Sequence, residues 1–225
     1  MERFSDLLFL AMVALLFGAL SWWLSPSRHP GRAMLAITAW VALLGVLSLE
    51  GFFADFKSLP PRILPALLLP LILGLLWLRS DGMRALLART PPQWPIHLQS
   101  FRVVMELILW LLYLQHRVPA IMTFEGRNAD ILVGLSAIPV AYLCFVRKLW
   151  SPRVAFWWNL GGILILLNVV VHAQLSTPSP LRVFVTDPPV TFIASWPYIL
   201  LPGFLVPLAW LGHAVSLIQL GRARA

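Results

Sequence analysis

Seven long apolar segments alternate with short polar stretches along the chain. Each is close to the ~20 residues that a helix needs to cross the ~30 Å hydrocarbon layer of a membrane. The pattern predicts an all-α fold, a polytopic bundle of seven transmembrane helices in one domain over residues 1–225, at about 7–24, 33–50, 63–79, 101–118, 130–147, 155–173 and 199–220. We expect the first segment to be a retained helix, because MERFSD holds two acids against one Arg and the apolar core is longer than that of a signal peptide.

The composition agrees with a membrane location. Of the 225 residues, 60% are hydrophobic and 12% are charged, whereas a soluble domain has roughly 25% charged residues. Cys144 is the only cysteine, which excludes an intramolecular disulfide and a Cys-pair metal site. The sequence contains no Walker or Rossmann glycine motif, no GxSxG and no lysine in the last segment. Nucleotide chemistry, serine hydrolysis and a retinal Schiff base are therefore not predicted.

Charged residues divide unequally between the two sides of the predicted bundle. The 1–2, 3–4 and 5–6 connections, the C-terminus and Arg102 carry eleven of the 17 Lys and Arg, against six on the other side. Seven acids lie on that other side, and Asp81 alone lies in a loop of the first. The positive-inside rule then places the N-terminus outside and the C-terminus in the cytoplasm of a bacterial cell. Below, these are the predicted outer and inner sides. Since topology explains the net charge of +8, we expect membrane lipids as partners and no nucleic acid.

Three connecting features follow from local sequence. SDGMRALLAR predicts a short interfacial helix at about 81–89, with Met83, Leu86 and Leu87 on one face. The prolines of TPPQWP are expected to end this short helix before the fourth transmembrane helix begins. The prolines of the 6–7 connection exclude one regular helix and predict a stiff cover over the outer mouth of the bundle. Pro202 and Pro207 predict that the last helix is bent or locally unwound.

A polar stripe runs along the fourth segment. Five side chains share an arc of about 100° on an otherwise apolar helix: Arg102, Glu106, Tyr113, His116 and Arg117. Such a stripe is expected to face a protein interior or a wet cavity. Because Glu106 would lie about one turn inside the inner boundary, an intramembrane ion pair of Arg102 with Glu106 is predicted, with His213 as a further partner. A proton-handling or ligand-binding carboxylate is the alternative interpretation.

Polar residues are densest in the 4–5 loop and beside it. We predict an outward-facing ligand-binding pocket lined by Tyr113, His116, Glu125, Arg127, Asn128, Asp130 and His172. Helix capping is an alternative role for Asn128 and Asp130, and bonding to a neighbouring helix is an alternative for Asn168 and His172. A divalent metal or a bis-histidine haem between His116 and His172 stays open. No HxxxH, HExxH or Cys pair is present, so no metal or other cofactor is predicted.

The 4–5 loop also carries a resemblance. FEGRN followed by ADILVGL resembles a stretch of uncharacterised bacterial multi-pass membrane proteins. Similar runs there include a pair like Trp158–Asn159 opening a later helix, and a loop like Leu175–Pro180. The resemblance covers roughly residues 101–220. It implies a seven-helix inner-membrane protein and supplies no activity.

Several functions remain open at this point. A mixed-charge outer pocket suits a small polar or zwitterionic ligand, so the first hypothesis is a non-catalytic binding or sensing module. The second is a proton-coupled transporter that uses the stripe from Arg102 to Arg117. The third is an intramembrane enzyme acting on a lipid, with His116 or His172 as a base beside a carboxylate. A structural role, as a subunit or scaffold, is the fourth.

Overall fold

The computed structural model describes residues 2–27 and 29–222, in which every regular element is a helix. In chain order the helices are α1 Glu2–Leu24, α2 Pro30–Leu49, α3 Ile63–Trp77, α4 Asp81–Arg89, α5 Trp94–Leu98, α6 Phe101–Leu114, α7 Asp130–Ala141, α8 Pro152–Ser176 and α9 Val206–Arg222. Every predicted segment overlaps one of these helices, and no strand is present among the described residues, which confirms the all-α prediction. Arg28 and Arg224, which enter the charge count, lie outside the described ranges.

Long apolar helices indicate a membrane-embedded protein. Among the described residues, five helices are long and apolar enough to cross a membrane: Arg3–Leu24, Pro30–Leu49, Trp94–Leu114, Pro152–Ser176 and Leu201–Arg222. The helices α3 and α4 are long and apolar enough to cross a membrane only if they are counted as one span, and the chain bends by 82° between them. The remaining segment is shorter, since α7 has 12 residues and five π-helical residues follow it. Length and composition therefore support five or six spans, compared with the seven predicted.

The short helix α4 has the bounds that its sequence predicts. The Ser80 hydroxyl accepts a hydrogen bond from the Met83 N–H and caps the first turn. Met83, Leu86 and Leu87 are buried, and they pack with Leu24, Leu78 and Val215 in one apolar cluster. The predicted apolar face of this helix is thereby confirmed.

The fourth predicted helix begins earlier than expected. α5 and α6 form one apolar stretch of 21 residues, Trp94–Leu114. Pro95 lies in the first turn of α5, where its missing N–H is tolerated. TPPQWP therefore ends α4 at Arg89, as predicted, and its last two residues already belong to the next helix. At 1.5 Å per residue, Glu106 is about 18 Å along the axis from Trp94. The prediction that Arg102 and Glu106 lie near the end of the helix is wrong, because both lie in its middle part.

After α6 the chain turns back into the bundle. α6 ends at Leu114, yet Asn128 contacts Glu106, which is about 12 Å earlier along the helix. Five residues of the connection are buried: Val118, Pro119, Met122, Thr123 and Asn128. We call residues 115–129 the re-entrant segment. Non-helical backbone is tolerated at this depth where protein covers it. As a result, α7 begins inside the bundle instead of at its outer end.

The 6–7 connection is buried more deeply than a surface cover. Residues 177–200, all described, contain only a short 3₁₀ turn, as the prolines predict. Seven of their apolar side chains belong to the main hydrophobic core: Val190, Phe192, Ile193, Ala194, Tyr198, Ile199 and Leu200. Ser48 of α2 donates a 2.8 Å hydrogen bond to the Ala194 carbonyl. The next five residues, Leu201–Leu205, are π-helical and include Pro202, which confirms the predicted distortion before α9.

Candidate functional site

Arg102 is the centre of a polar network inside the bundle. Its side chain is 1% exposed, and its Nε lies 2.8 Å from Oδ2 of Asp130. This contact is an ion pair without good hydrogen-bond alignment. Nη1 of Arg102 donates to Nε2 of His213 over 3.2 Å. The ion-pair partner of Arg102 among the described residues is thus Asp130 and not the predicted Glu106. The re-entrant segment explains the difference, because it returns the start of α7 to the depth of Arg102.

Glu106 is held by Asn128. Its Oε1 accepts a hydrogen bond of 2.5 Å from Nδ2 of Asn128, which also donates to the Met122 carbonyl. The Asn128 Oδ1 accepts from the backbone N–H of Asp130 at the start of α7. Asn128 therefore satisfies a helix-terminal donor, as predicted, and fixes one oxygen of a buried carboxylate at the same time. Its position follows from three bonds that all lie within 24 residues of sequence.

His213 connects Arg102 to a second asparagine. The Nδ1 atom of His213 lies 2.8 Å from Oδ1 of Asn159. The Asn159 amide nitrogen donates to Ser216 Oγ at 2.9 Å and to the Ala155 carbonyl at 2.7 Å, so its oxygen faces the ring. This pattern assigns the ring proton to Nδ1 and leaves Nε2 as the acceptor for Arg102. His213 is therefore neutral in this arrangement, and the network extends from α7 through α6 and α9 to α8.

Two glycines allow the helices to approach closely around the network. A Cβ atom on Gly162 of α8 would lie 2.5 Å from Cε1 of His213. A Cβ atom on Gly134 of α7 would lie 2.7 Å from Cγ2 of Val103 and 2.8 Å from its backbone nitrogen. Small residues at helix contacts are typical of membrane bundles. Both glycines thus set the distance at which the polar side chains meet.

A small cavity adjoins the acidic part of the network. Its volume is about 90 Å³, and its polar lining comes from Glu106, Asn128, Asp130 and Gln174. Oε2 of Glu106 and Oδ1 of Asp130 are buried and have no hydrogen-bond partner in the described part of the chain. Leaving a buried polar atom unsatisfied costs about 1–3 kcal/mol. The cavity is large enough for more than one water, each of which needs about 10–15 Å³ of such volume.

The seven residues of the predicted outer pocket have different surroundings. Asn128 and Asp130 are buried in the network, whereas the other five are half-buried or exposed. Arg127 and His172 both contact the Phe184 ring: the guanidinium lies 5.1 Å from its centroid, and the imidazole stacks on it. Glu125 accepts a 2.7 Å hydrogen bond from Trp110. Tyr113 is half-buried, and His116 is an exposed residue with φ 56° just beyond α6.

A second polar cluster was not predicted from the sequence. Asp6 of α1 accepts hydrogen bonds from the Tyr198 hydroxyl at 2.5 Å and from Nη1 of Arg117 at 3.0 Å. Burial, followed by the hydrogen bond to Asp6, raises the pKa of Tyr198, so its hydroxyl remains a donor. The only sequence signal was an acid within the first turns of an apolar helix. The cluster joins α1, the re-entrant segment and the 6–7 connection.

Histidine chemistry can be examined from the partners of each ring. His213 contacts Arg102 and Asn159, and His172 Nδ1 contacts the Asn168 carbonyl at 2.9 Å. The histidine-base hypothesis named His116 and His172, and the hydrogen bond of the His172 ring goes to a backbone carbonyl instead of the carboxylate that the hypothesis places beside it. Within residues 2–27 and 29–222, no group of three or more His, Cys, Asp or Glu could hold a metal ion.

Comparison with known proteins gives no relative of this chain. The suggested resemblance to bacterial seven-helix membrane proteins therefore stays a prediction. No family model, curated protein or solved structure matches this chain.

Proposed function

We propose that the protein binds a small monovalent cation, an inorganic ion or a small ammonium group, in the cavity beside Glu106. One observation carries the proposal. Glu106 and Asp130 both line the cavity, and one oxygen of each, Oε2 and Oδ1, is buried without a hydrogen-bond partner among the described residues. Together with the amide side chain of Gln174, which also lines the cavity, these two carboxylate oxygens are a set of acceptors that suits a compact cation. This proposal keeps the hypothesis of a binding module, but it places the binding site at the buried polar network instead of the outer 4–5 loop.

The charge balance supports a single positive charge. Arg102 is paired with Asp130, and the neutral ring of His213 supplies no charge. Glu106 therefore has one hydrogen bond from Asn128 and no direct ion-pair partner in the described chain. An ionised carboxylate inside a membrane protein is costly without a counter-charge. A monovalent cation or a proton would supply it, so cation and proton compete for the same oxygen.

We further propose that the chain crosses a bacterial cytoplasmic membrane seven times, with the N-terminus outside. The distribution of Lys and Arg supports this orientation. In that orientation the cavity lies on the outer side of the network, because its lining includes the first residues of α3 and the last residues of α8. A cation would then enter from the outside.

Thermal unfolding of the detergent-purified protein tests the proposal. The buffer contains N-methylglucamine as its only cation, and Na⁺, K⁺, NH₄⁺ or methylammonium is added at constant ionic strength. A cation at a hundred times its Kd stabilises the folded state by about 2.7 kcal/mol, so the Tm of the wild type should rise. In Glu106→Gln, which keeps the acceptor for Asn128, the rise should disappear. Glu50→Gln, at an exposed carboxylate, is the matched control. A wild type that no cation stabilises, or a Glu106→Gln protein that responds equally, would overturn the proposal.

A proton-coupled cation transporter is the second candidate. The observation that favours it is the broken helical structure around the cavity: the re-entrant segment, and the π-helical residues Leu201–Leu205. Discontinuous helices at a central site are a feature of transporters. In proteoliposomes with a trapped pH dye, an inward cation gradient should then drive proton movement in the wild type and not in Glu106→Gln. Equal proton movement in both proteins would rule out this role for Glu106.

A further inference from the structure

A large apolar cavity lies apart from the network. Its volume is about 790 Å³, within the range of roughly 300–1,000 Å³ that is typical of ligand pockets. It is bordered by α1, α2, α3, α4 and α9, and its body is lined mainly by Leu, Ile, Trp and Phe side chains. Among the five long apolar helices, α2 is the least buried within the protein. A hydrocarbon chain is the kind of group that such walls accept.

One end of this cavity is polar. His29, Arg32, Ser27, Ser80 and Thr90 all belong to its lining, and all lie at the ends of α1–α4 on the predicted inner side. Arg32 is exposed and forms no ion pair with another described residue. The Ser27 hydroxyl is buried and has no hydrogen-bond partner within the described ranges. This end therefore combines a guanidinium without an ion-pair partner and a buried hydroxyl without a hydrogen-bond partner, both among the described residues, at the edge of an apolar chamber.

The first turn of α2 adds to the positive character of this end. α2 begins at Pro30, and Arg32 follows two residues later. A helix N-terminus carries a partial positive charge and presents backbone N–H groups to anions. An occupant must therefore combine an anionic head with a long apolar tail. An anionic phospholipid of the inner leaflet has both parts, and cytoplasmic leaflets are rich in such lipids.

We propose that this cavity binds one anionic phospholipid, with a hydrocarbon chain between α2, α3 and α9 and its phosphate beside Arg32 and Ser27. The site is independent of the cation site. A lipid at this site differs from the lipids that surround any membrane protein, because it lies inside a cavity and its phosphate contacts defined residues.

Native mass spectrometry of the detergent-purified full chain tests this, with dioleoyl phosphatidylglycerol and dioleoyl phosphatidylcholine as the added lipids. The wild type should retain one phosphatidylglycerol with at least tenfold preference. Ala36 lines the cavity on α2, so Ala36→Trp should obstruct the part between α2 and its neighbours and reduce retention at least tenfold. Ala42→Trp, at an exposed position on the opposite face of the same helix, should behave as the wild type. Equal Tm values of the two variants check that both are folded.

The head-group contact is tested separately. Arg32→Gln should weaken phosphatidylglycerol binding about fivefold, the effect of one basic residue near an anionic lipid. Arg89→Gln removes an exposed charge of α4 that does not line the cavity, and it should change nothing. Equal binding of the two lipids, or unchanged retention in Ala36→Trp, would overturn the proposal. Retention of detergent alone would overturn it as well.

Discussion

Two adjacent glycines of α8 provide a direct test of the network geometry. A Cβ atom on Gly162 would lie 2.5 Å from Cε1 and 2.7 Å from Nε2 of His213, whereas a Cβ atom on Gly161 would meet nothing within 4 Å. Gly162→Ala and Gly161→Ala therefore make the same chemical change, one residue apart, in very different surroundings. Both gain roughly 0.5–1 kcal/mol from the better helix propensity of Ala, so this gain cancels when the two variants are compared.

The clash in Gly162→Ala can be estimated from the distances. The His213 ring must move about 0.9 Å before its contact reaches the ordinary 3.4 Å. A shift of that size along either hydrogen bond would break the bond, since the bonds to Asn159 and Arg102 measure 2.8 and 3.2 Å. Overpacking of a close-packed interior costs about 1–3 kcal/mol. We expect Gly162→Ala to be less stable than Gly161→Ala by that amount.

SDS titration of the purified proteins, followed by tryptophan fluorescence, measures the difference in the free energy of unfolding. Folding before titration is checked for both variants by gel filtration in a mild detergent. If the two variants unfold at the same SDS fraction, then α8 does not contact His213 at Gly162. In that case the proposed connection between α8, α9 and Arg102 is refuted as well.

Two further substitutions test the neighbouring contacts by the same titration. Asp130→Ala should lower the free energy of unfolding by about 3–5 kcal/mol, because it leaves the buried Arg102 without its partner; Asp55→Ala breaks an exposed ion pair and should cost less than about 1 kcal/mol. Equal losses would mean that the Arg102 pair is solvated. Gly126→Ala should destabilise by about 1–3 kcal/mol, since its Cβ would lie within 3 Å of the backbone at residues 120 and 121. Gly82→Ala is the control, because its Cβ would meet nothing within 4 Å and should not destabilise the protein. If Gly126→Ala were as stable as Gly82→Ala, the packing of the re-entrant segment would be contradicted.

Local pattern was sufficient to predict the helices. All seven apolar segments are helical, and α4 has the predicted bounds, because hydrophobic periodicity and capping act over a few residues. The distortion at Pro202 follows from the same kind of local rule. The start of the fourth helix was predicted too late, because a proline can either end one helix or occupy the first turn of the next. Pro95 does the latter.

The partners within the site could not be predicted in this way. Periodicity relates Arg102 to Glu106, one turn away, whereas its actual partner Asp130 is brought close by the re-entrant segment. The local sequence of that segment does not indicate that it is buried, because its position inside the bundle depends on the hydrogen bond from Asn128 to Glu106 on another helix. His213 was predicted to lie near the acidic stripe, but its tether to Asn159 joins residues 54 positions apart. Tertiary contacts of this kind lie outside the range of any sequence period.

The network contains residues that hold the bundle together and one acid, Glu106, whose role in the bundle is different. Arg102 with Asp130, and His213 with Asn159, are paired across helices, so removing any one leaves a buried partner without its contact. Glu106 differs, because it has no ion-pair partner in the described part of the chain. Asn128 bonds one of its oxygens, the other is buried without a partner among the described residues, and the residue lines the cavity. In cation-free buffer, Glu106→Gln should therefore unfold at the same SDS fraction as the wild type, or at a higher one, since it removes an unpaired buried carboxylate and keeps the acceptor. Added cation should then stabilise the wild type alone. A clear loss of stability in Glu106→Gln without any cation would mean that Glu106 is a structural member of the network, and the cation site would lose its main argument.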